Sequence, residues 1–301
     1  MALTRIYQYC KKIFKSLYFL MFLNGFLIAS MFYFRMQGNY ENSLFSSIKY
    51  TIDNRIDDND SSDSIAVKAM NECHYLMNNR ASVFNNANNT SGAQSEFFHA
   101  TSIDLMTTRG ACGSYSQVLA RILDDYNFPV RIAQMKAHGV WAAHNLVEVN
   151  TGKHWVVLDP TFDICFVRPD STLASFADVQ NDWPYYARQV PKNYDMTYHY
   201  EDVRYANWSK IPILFPAIKA VLNATMGKAK ADSISIRTWF LRIYNIYLYI
   251  ALLIYLPILI YTLRRVIQIK VFPDPETPFT YRNLVKYTGT LISGNKTGIL
   301  P

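Results

Sequence analysis

The sequence predicts an α+β domain flanked by two transmembrane helices. Residues 17–34 and 243–263 contain no charged side chain, and about 20 apolar residues are enough to cross the hydrocarbon core of a bilayer. Between these stretches, apolar residues at helical spacing are followed by short β-prone runs that turn residues separate. We therefore expect helices packed on an antiparallel sheet in the middle of the chain.

The excess of basic residues lies at the two ends of the chain. Residues 1–35 and 239–301 together carry a net charge of +10, whereas residues 36–238 carry −3. By the positive-inside rule, this pattern predicts cytoplasmic termini and a domain outside the cytoplasm, held to the lipid bilayer by both spans. No small-residue cleavage site follows the first span, so we expect an uncleaved anchor. The acidic middle argues against nucleic-acid binding.

The expected organisation has seven segments. They are a cytoplasmic N-terminus (1–12), a transmembrane helix (13–35), a linker (36–63), a core (64–165), an accessory segment (166–238), a second transmembrane helix (243–263) and a cytoplasmic tail (264–301). The linker is expected because its end is acidic and polar. Prolines in the tail argue against further regular structure there.

Two helical segments are expected before the informative part of the core. Apolar residues recur at helical spacing over residues 65–77, with Ser64 or Asp63 as the capping residue. This helix is expected to end near residues 78–80. A shorter helical turn is expected over residues 97–107.

Cys112 lies at the predicted start of the next helix. Gly110 and Gly113 flank it, and apolar residues then recur at helical spacing over 115–126 until Pro129 stops the helix. Unpaired N–H groups at a helix N-terminus stabilise a thiolate and also offer donors to an oxyanion. Cys112 is therefore a candidate nucleophile, and an inert buried cysteine is the alternative.

Two β-prone runs follow, over residues 144–149 and 154–159, and a turn-rich quartet at 150–153 separates them. A hairpin centred on this quartet places His144 directly opposite Asp159, whether the loop has two residues or four. Both side chains then lie on one face of the sheet, where they can form a hydrogen bond.

This register predicts a nucleophile, a base and an orienting acid. Cys112 would be the nucleophile, His144 the base and Asp159 the residue that orients the imidazole. His154 would point to the other face, and His138 is the alternative base. A structural His–Asp pair near a buried cysteine remains the competing interpretation.

The motifs RGACGSYSQVLARIL, FPVRI, HNLVEV and WVVLDPTFD resemble the transglutaminase-like superfamily, whose members have the papain-type fold. The resemblance covers roughly residues 64–165. It implies a papain-like core in which Cys112 is the nucleophile, His144 the base and Asp159 the orienting acid. It depends on a glycine-flanked cysteine opening a helix, a histidine opening a strand, and an Asp-Pro-Thr after a tryptophan.

Two positions depart from the family pattern. Leu146 stands where family members usually have an aromatic residue, and no tryptophan precedes Trp141 to stabilise an oxyanion. Gln94 or the backbone N–H of Cys112 is the expected replacement donor. These two departures weaken the expectation that the protein crosslinks glutamine to lysine more than they weaken the expectation of thiol chemistry.

The sequence therefore predicts a membrane-anchored thiol enzyme that transfers or hydrolyses an amide acyl group on a protein, peptide or other amide outside the cytoplasm. The alternative is a non-enzymatic, membrane-tethered binding or assembly module with a vestigial triad. No cofactor is expected, and no metal site either, because the chain has no Cys-x-x-Cys or His-x-x-x-His spacing. A disulfide between Cys73 and Cys165 is left open, as is the oligomeric state.

Overall fold

The computed structural model describes residues 13, 16–84, 99–106, 112–137, 139–209 and 212–271. The chain divides into two compact units, one of residues up to 36 together with those from 245 onward, and one of residues 37–244. The described residues form helices and a five-stranded antiparallel sheet. The expected combination of helices, an antiparallel sheet and two long apolar helices is thereby confirmed.

The two longest helices contain the apolar stretches. Helix α1 spans Leu17–Asp53 and helix α10 spans Ile243–Val271, and their mean hydropathies reach 1.8 and 2.2, which is apolar enough for a membrane span. Few residues of either apolar stretch are buried, whereas a helix of a protein core would hide most of them. Length and composition are thus compatible with a protein that crosses the membrane twice.

In the first unit, a polar contact joins these two helices. The Asn24 Nδ2 group donates a hydrogen bond to Thr262 Oγ1 at 2.8 Å, the kind of interhelical bond that stabilises apolar helix pairs. Helix α10 also continues past the expected end of the span, through residues 264–271. The rest of the expected tail lies outside the described residues.

Much of the segment expected to be a linker, 36–63, is helical. Helix α1 continues to Asp53, and Phe45, Ile48 and Ile52 are buried in the core of the second unit. These residues recur at intervals of three and four, so they form an apolar stripe on one face of the helix. That stripe, which the polar end of the segment obscured, explains why the helix does not end at the apolar run.

Between α1 and the sheet, the described residues form the helices α2 (Ser62–Phe84), α3 (Thr101–Met106) and α4 (Cys112–Asp125). Helix α2 begins where Ser61 Oγ accepts a hydrogen bond from the Ser64 N–H, and it runs to Phe84, beyond the expected end near 78–80. Helix α4 begins at Cys112 and ends before Pro129, as its sequence predicts.

The sheet has the order β4-β3-β2-β1-β5. Its strands are β1 (Val130–Ala137), β2 (Val140–Asn150), β3 (Trp155–Asp159), β4 (Ile164–Cys165) and β5 (Asp202–Arg204). Alternate residues point to opposite faces. Val147 and Leu158 pack with apolar residues of α2 and α4 on one face, while Leu146 and Val157 pack with an aromatic cluster on the other.

The predicted register of the β2–β3 hairpin is wrong by two residues. Asn150 pairs with Trp155 and Val147 with Leu158, so the loop is residues 151–154 and not 150–153. The Asn150 side chain accepts a hydrogen bond from the Gly152 N–H at 2.9 Å, and Gly152 has a φ of +95°, which glycine adopts without strain. This local turn moves the centre of the loop by one residue.

Residues 166–238, expected to be an accessory segment, contribute to the same core. Strand β5 pairs with β1, and Phe176, Tyr186 and Tyr200 are buried against the sheet. The helices of this part and the short one after it are α5 (Phe176–Asn181), α6 (Trp183–Tyr186), α7 (Leu214–Met226), α8 (Lys228–Asp232) and α9 (Ile236–Trp239).

Candidate functional site

Helix α4 positions Cys112 at its first turn. The buried residues Val118, Leu119 and Ile122 attach this helix to the core, and Ser116 Oγ donates to the Asn145 carbonyl of strand β2 at 3.0 Å. The thiol therefore lies at the N-terminal end of a well-anchored helix. Free N–H groups and the positive end of the helix dipole favour a thiolate at this position.

A second set of contacts holds the first turn of α4 from the side of α3. The Ser114 hydroxyl donates a hydrogen bond to Asp104 Oδ1 at 2.6 Å, and the other oxygen of this carboxylate lies 2.9 Å from His99 Nε2. Asp104 is buried. The position of the cysteine is therefore set by polar contacts as well as by the apolar face of the helix.

His144 and Asp159 form a buried hydrogen-bonded pair. His144 Nε2 lies 2.7 Å from Asp159 Oδ2, and each residue is only 1% exposed. Asp159 Oδ1 also accepts the Thr161 N–H at 3.0 Å, so the carboxylate is held from both oxygens. In the observed register Asp159 is opposite Leu146, and it reaches His144 diagonally because a shift of two residues keeps both side chains on the same face.

The imidazole of His144 lies between aromatic rings. Tyr198 stacks on it with a centroid distance of 4.7 Å and an interplanar angle of 9°, and the ring of Phe162 is 5.7 Å away. These contacts fix the plane of the ring. Because Nε2 is engaged with Asp159, Nδ1 is the nitrogen left for Cys112.

The electrostatics of the site favour a charged cysteine–histidine pair. Burial raises the pKa of the Cys112 thiol, but hydrogen bonds with His144 and Asn145 and the charge of His144 outweigh it, so that the pKa is lowered. Burial lowers the pKa of His144, but the charge and hydrogen bond of Asp159, with a further contribution from Cys112, raise it to about 9. Both directions stabilise a thiolate beside an imidazolium.

Asn145 is a site residue that the sequence did not single out. Its Nδ2 group donates a hydrogen bond to the Cys112 sulfur at 3.3 Å, and its Oδ1 accepts one from Arg237 Nη1 at 3.0 Å. The arginine can only donate, so it fixes the orientation of the amide with its NH₂ group toward the sulfur. The only signal in the sequence was an amide side chain next to the candidate base.

Arg237 comes from a distant part of the chain. It lies on α9. Ser235, the residue just before this short helix, attaches the helix to β1 because its hydroxyl oxygen accepts a hydrogen bond from the Ile132 N–H at 3.1 Å. Its guanidinium is 3.6 Å from where a Cβ of Gly113 would stand, which puts it beside the first turn of α4. Gln94, one of the two expected replacements for the tryptophan donor of the family, lies outside the described residues.

A bulge in β2 precedes the two site residues of this strand. His144 pairs with Met135 of β1, whereas Trp141 pairs with the next residue, Lys136, so Ala142 and Ala143 are extra residues in β2. Ala142 has a φ of +61°, a strained conformation for alanine. Bulges of this kind redirect side chains next to functional sites.

The other cysteines of the described part of the chain differ from Cys112. Cys73 and Cys165 are both free thiols, and burial raises the pKa of each. Cys112 is the one described cysteine whose pKa is lowered. The site thus contains the described thiol that is best prepared for nucleophilic attack.

The histidines considered beside His144 do not enter the site where they are described. His154 lies in the hairpin loop, with its Nε2 3.0 Å from the Leu173 carbonyl oxygen, and His74 Nδ1 is 2.9 Å from the Pro160 carbonyl oxygen. His138, the alternative base, lies outside the described residues. Across the described ranges, no group of three His, Cys, Asp or Glu side chains is arranged to hold a metal ion.

Comparisons of this chain with protein-family models, curated proteins and solved structures find no match. The resemblance to the transglutaminase-like superfamily therefore stays an expectation drawn from the sequence motifs alone. The three sequence-predicted residues Cys112, His144 and Asp159 are brought together, and Asn145, Arg237 and Tyr198 join them.

Proposed function

We propose that this protein is a membrane-anchored thiol enzyme of the transglutaminase-like, papain-like type. Cys112, His144 and Asp159 would form its catalytic triad, and the reaction would be amide acyl transfer or hydrolysis through a thioacyl intermediate. Its substrate would be a protein, peptide or other amide, and no cofactor takes part in this chemistry.

The observation that carries the proposal is the continuous polar network from the helix N-terminus to the buried carboxylate. Cys112 interacts with His144, and His144 Nε2 lies 2.7 Å from Asp159. A merely structural pair would not require a thiol with a lowered pKa at its open end. This order of groups supports the proposed roles of Cys112 as nucleophile, His144 as base and Asp159 as orienting acid.

In the first half of the reaction the Cys112 thiolate attacks the amide carbonyl carbon and forms a C–S bond. The carbonyl oxygen gains negative charge, and the Asn145 Nδ2 group and the N-terminal N–H groups of α4 are the donors available to stabilise it. When the C–N bond breaks, the proton of the His144 imidazolium goes to the leaving amine. A thioester on Cys112 and a neutral imidazole remain.

In the second half water or a second amine attacks the thioester. His144 takes a proton from this nucleophile, the new C–O or C–N bond forms, and the C–S bond breaks to restore the thiolate and the imidazolium. Hydrolysis and aminolysis use the same residues, and they differ in whether water reaches the thioester first.

The membrane part of the proposal rests on the two apolar helices and their basic flanks. Helices α1 and α10 are long and apolar enough to span a bilayer, and the basic residues before the first span and after the second favour cytoplasmic termini. The domain with the candidate triad would then act outside the cytoplasm, where a disulfide between Cys73 and Cys165 is not needed for the site.

The test uses the full-length protein in detergent and p-nitrophenyl acetate as a small acyl donor. We expect a burst of p-nitrophenol and an acetyl group on Cys112 in the peptide map, with both lost in Cys112→Ala and retained in the matched variant Cys165→Ala. Added methylamine should yield N-methylacetamide if aminolysis competes with hydrolysis. An equal burst in Cys112→Ala would overturn the nucleophile assignment in favour of a non-enzymatic module.

A further inference from the structure

A cavity of about 300 Å³ lies beside the candidate nucleophile. Asn145, which donates to the Cys112 sulfur, and Arg237, which donates to Asn145, form part of its wall, and Arg204, Gln134 and Asn207 line it elsewhere. Asn145 therefore lines the cavity and also contacts the Cys112 sulfur. Its size suits a small part of a substrate rather than a folded protein segment.

The charge of this cavity is one-sided. Its lining includes two arginines and no acidic residue, and among the described residues neither arginine lies within ion-pairing distance of a carboxylate. Other arginines of the same unit are paired with acids: Arg131 with Glu148, Arg168 with Asp178, and Arg242 with Asp124. Within the described part of the chain, Arg204 and Arg237 thus form no direct ion pair with a carboxylate, although the charges of Cys112 and Asp104 act on Arg237 and raise its pKa against the effect of burial.

Each cavity arginine is held in place by neutral groups. Arg204 Nε donates to Gln134 Oε1 at 2.9 Å, and its guanidinium carbon lies 4.9 Å from the centroid of the Trp141 ring. Arg237 Nη1 donates to Asn145 Oδ1. Burial lowers the pKa of both guanidinium groups, a desolvation cost that an anion in the cavity would offset.

The remaining wall is apolar. Ala142, Ala206, Phe215, Ile236 and Tyr205 complete the lining. An apolar surface beside two guanidinium groups matches a short hydrocarbon chain that ends in a carboxylate. A fork of N–H donors is suited to such a planar anion.

We infer that this cavity is a substrate subsite for a carboxylate, so that the enzyme acts on amides that carry a negatively charged carboxylate close to the reacting carbonyl. This inference rests on the proposed function, because it names the substrate class of the same thiol site. Arg204 would bind the carboxylate, and Arg237 would contribute both to the subsite and to the orientation of Asn145.

The test compares two alkylating probes that differ only in charge, N-iodoacetyl-β-alanine and its neutral amide, on the full-length protein in detergent. We expect the anionic probe to label Cys112 about tenfold faster than the neutral one, the gain typical of a hydrogen bond to a charged group. Arg204→Gln should remove this preference, so that the two probes label Cys112 at nearly equal rates.

Lys136→Gln is the matched control. Lys136 lies on β1, which pairs with β5, and it also approaches the Trp141 ring, but it does not line the cavity. Lys136→Gln removes one positive charge, as Arg204→Gln does. Because Lys136 does not line the cavity, the preference for the anionic probe should persist in this variant. A preference that persists equally in Arg204→Gln would overturn the inference.

A measurement on the parent protein covers the case in which Arg204→Gln does not fold. Glutarate should slow labelling of Cys112 by the neutral probe in a saturable way, whereas the diamide of glutarate should not. Suppose that the neutral probe labels Cys112 rapidly, that glutarate has no effect and that the anionic probe is not preferred. This result would overturn the subsite inference without contradicting the proposed triad. Failure of both probes to label Cys112 would instead count against the proposed function.

Discussion

The side-chain amide of Asn145 donates a hydrogen bond to the sulfur of Cys112 over 3.3 Å, from the residue directly after the histidine that interacts with the same thiol. Two consecutive residues of one strand therefore contact the candidate nucleophile. Regular alternation would send their side chains to opposite faces of the sheet, yet both interact with the thiol, and the bulge at Ala142 and Ala143 directly precedes them in β2. This arrangement supplies a base and a donor from one short sequence.

Replacement of the donor should slow the chemistry more than it affects the thiol. We expect Asn145→Ala to reduce kcat for p-nitrophenyl acetate by about 10²- to 10³-fold, because a donor to the oxyanion is lost in the transition state. Alkylation of Cys112 by iodoacetamide, which forms no oxyanion, should change much less. Asn71→Ala, which removes an exposed asparagine bonded to Asp163, is the control, and equal losses in both reactions would contradict the oxyanion role.

The pH dependence of both alkylation and turnover should reflect the charged pair of Cys112 and His144. The thiolate exists above the lowered pKa of Cys112, and the imidazolium exists below the raised pKa of His144, about 9. Turnover that needs both should therefore fall on the acid side as the thiolate is protonated and again above about pH 9 as the imidazolium loses its proton.

Iodoacetamide labelling followed by mass spectrometry of the peptides measures the acid limb at each cysteine, because alkylation needs only the thiolate. Steady-state turnover of p-nitrophenyl acetate as a function of pH measures both limbs. Cys112 should still be labelled at pH 7, whereas Cys165, whose pKa burial raises, should be labelled only as the pH increases further. If both thiols gained reactivity in parallel, the charged pair would not exist.

Loss of the carboxylate at Asp159 should disrupt the orientation and charge of the base. We expect Asp159→Asn to lower kcat by up to about 10⁴-fold and to move the acid limb of the Cys112 profile to higher pH, because the pKa of His144 is no longer raised by Asp159. Asp163→Asn is a suitable control, since Asp163 has a φ of +57° that asparagine also tolerates. An unchanged profile in Asp159→Asn would assign the pair a purely structural role.

The aromatic ring of Tyr198 should matter through the orientation of His144. Its stacked contact with the imidazole is worth about 0.5–1.5 kcal/mol in comparable pairs, so Tyr198→Leu should reduce kcat by roughly two- to tenfold. Tyr198→Phe keeps the ring and should retain near-parent activity. A steady-state comparison of the two variants checks this, and equal losses would point to the hydroxyl group instead of the ring.

Much of the local structure was predictable because it depends on periodicity and on stop signals close in sequence. The apolar stripe after Cys112 and the proline at 129 define helix α4. The uncharged apolar runs define the first half of α1 and most of α10. The extension of α1 to Asp53 was missed because the polar end of the segment obscured the stripe of Phe45, Ile48 and Ile52, which packs in the core of the second unit.

The hairpin shows where prediction from the sequence failed and why the site survived. The loop centre depends on one turn, in which Asn150 bonds to Gly152, and the predicted register was two residues away from the observed one. A shift by an even number keeps every side chain on its face, so His144 and Asp159 still meet, diagonally instead of directly. A shift by one residue would have separated them.

The sequence by itself determined the candidate triad residues and the secondary structure around them. It placed a cysteine at a helix N-terminus and a histidine and an aspartate on one face of a hairpin, and it contained two apolar stretches with basic flanks. Only the tertiary structure decided which groups complete the site. Arg237 and Arg204 line the cavity beside the thiol, and Tyr198 covers the base. These residues lie far along the chain from the triad, and their proximity depends on packing of β5 and α9 against β1, which no short-range spacing encodes.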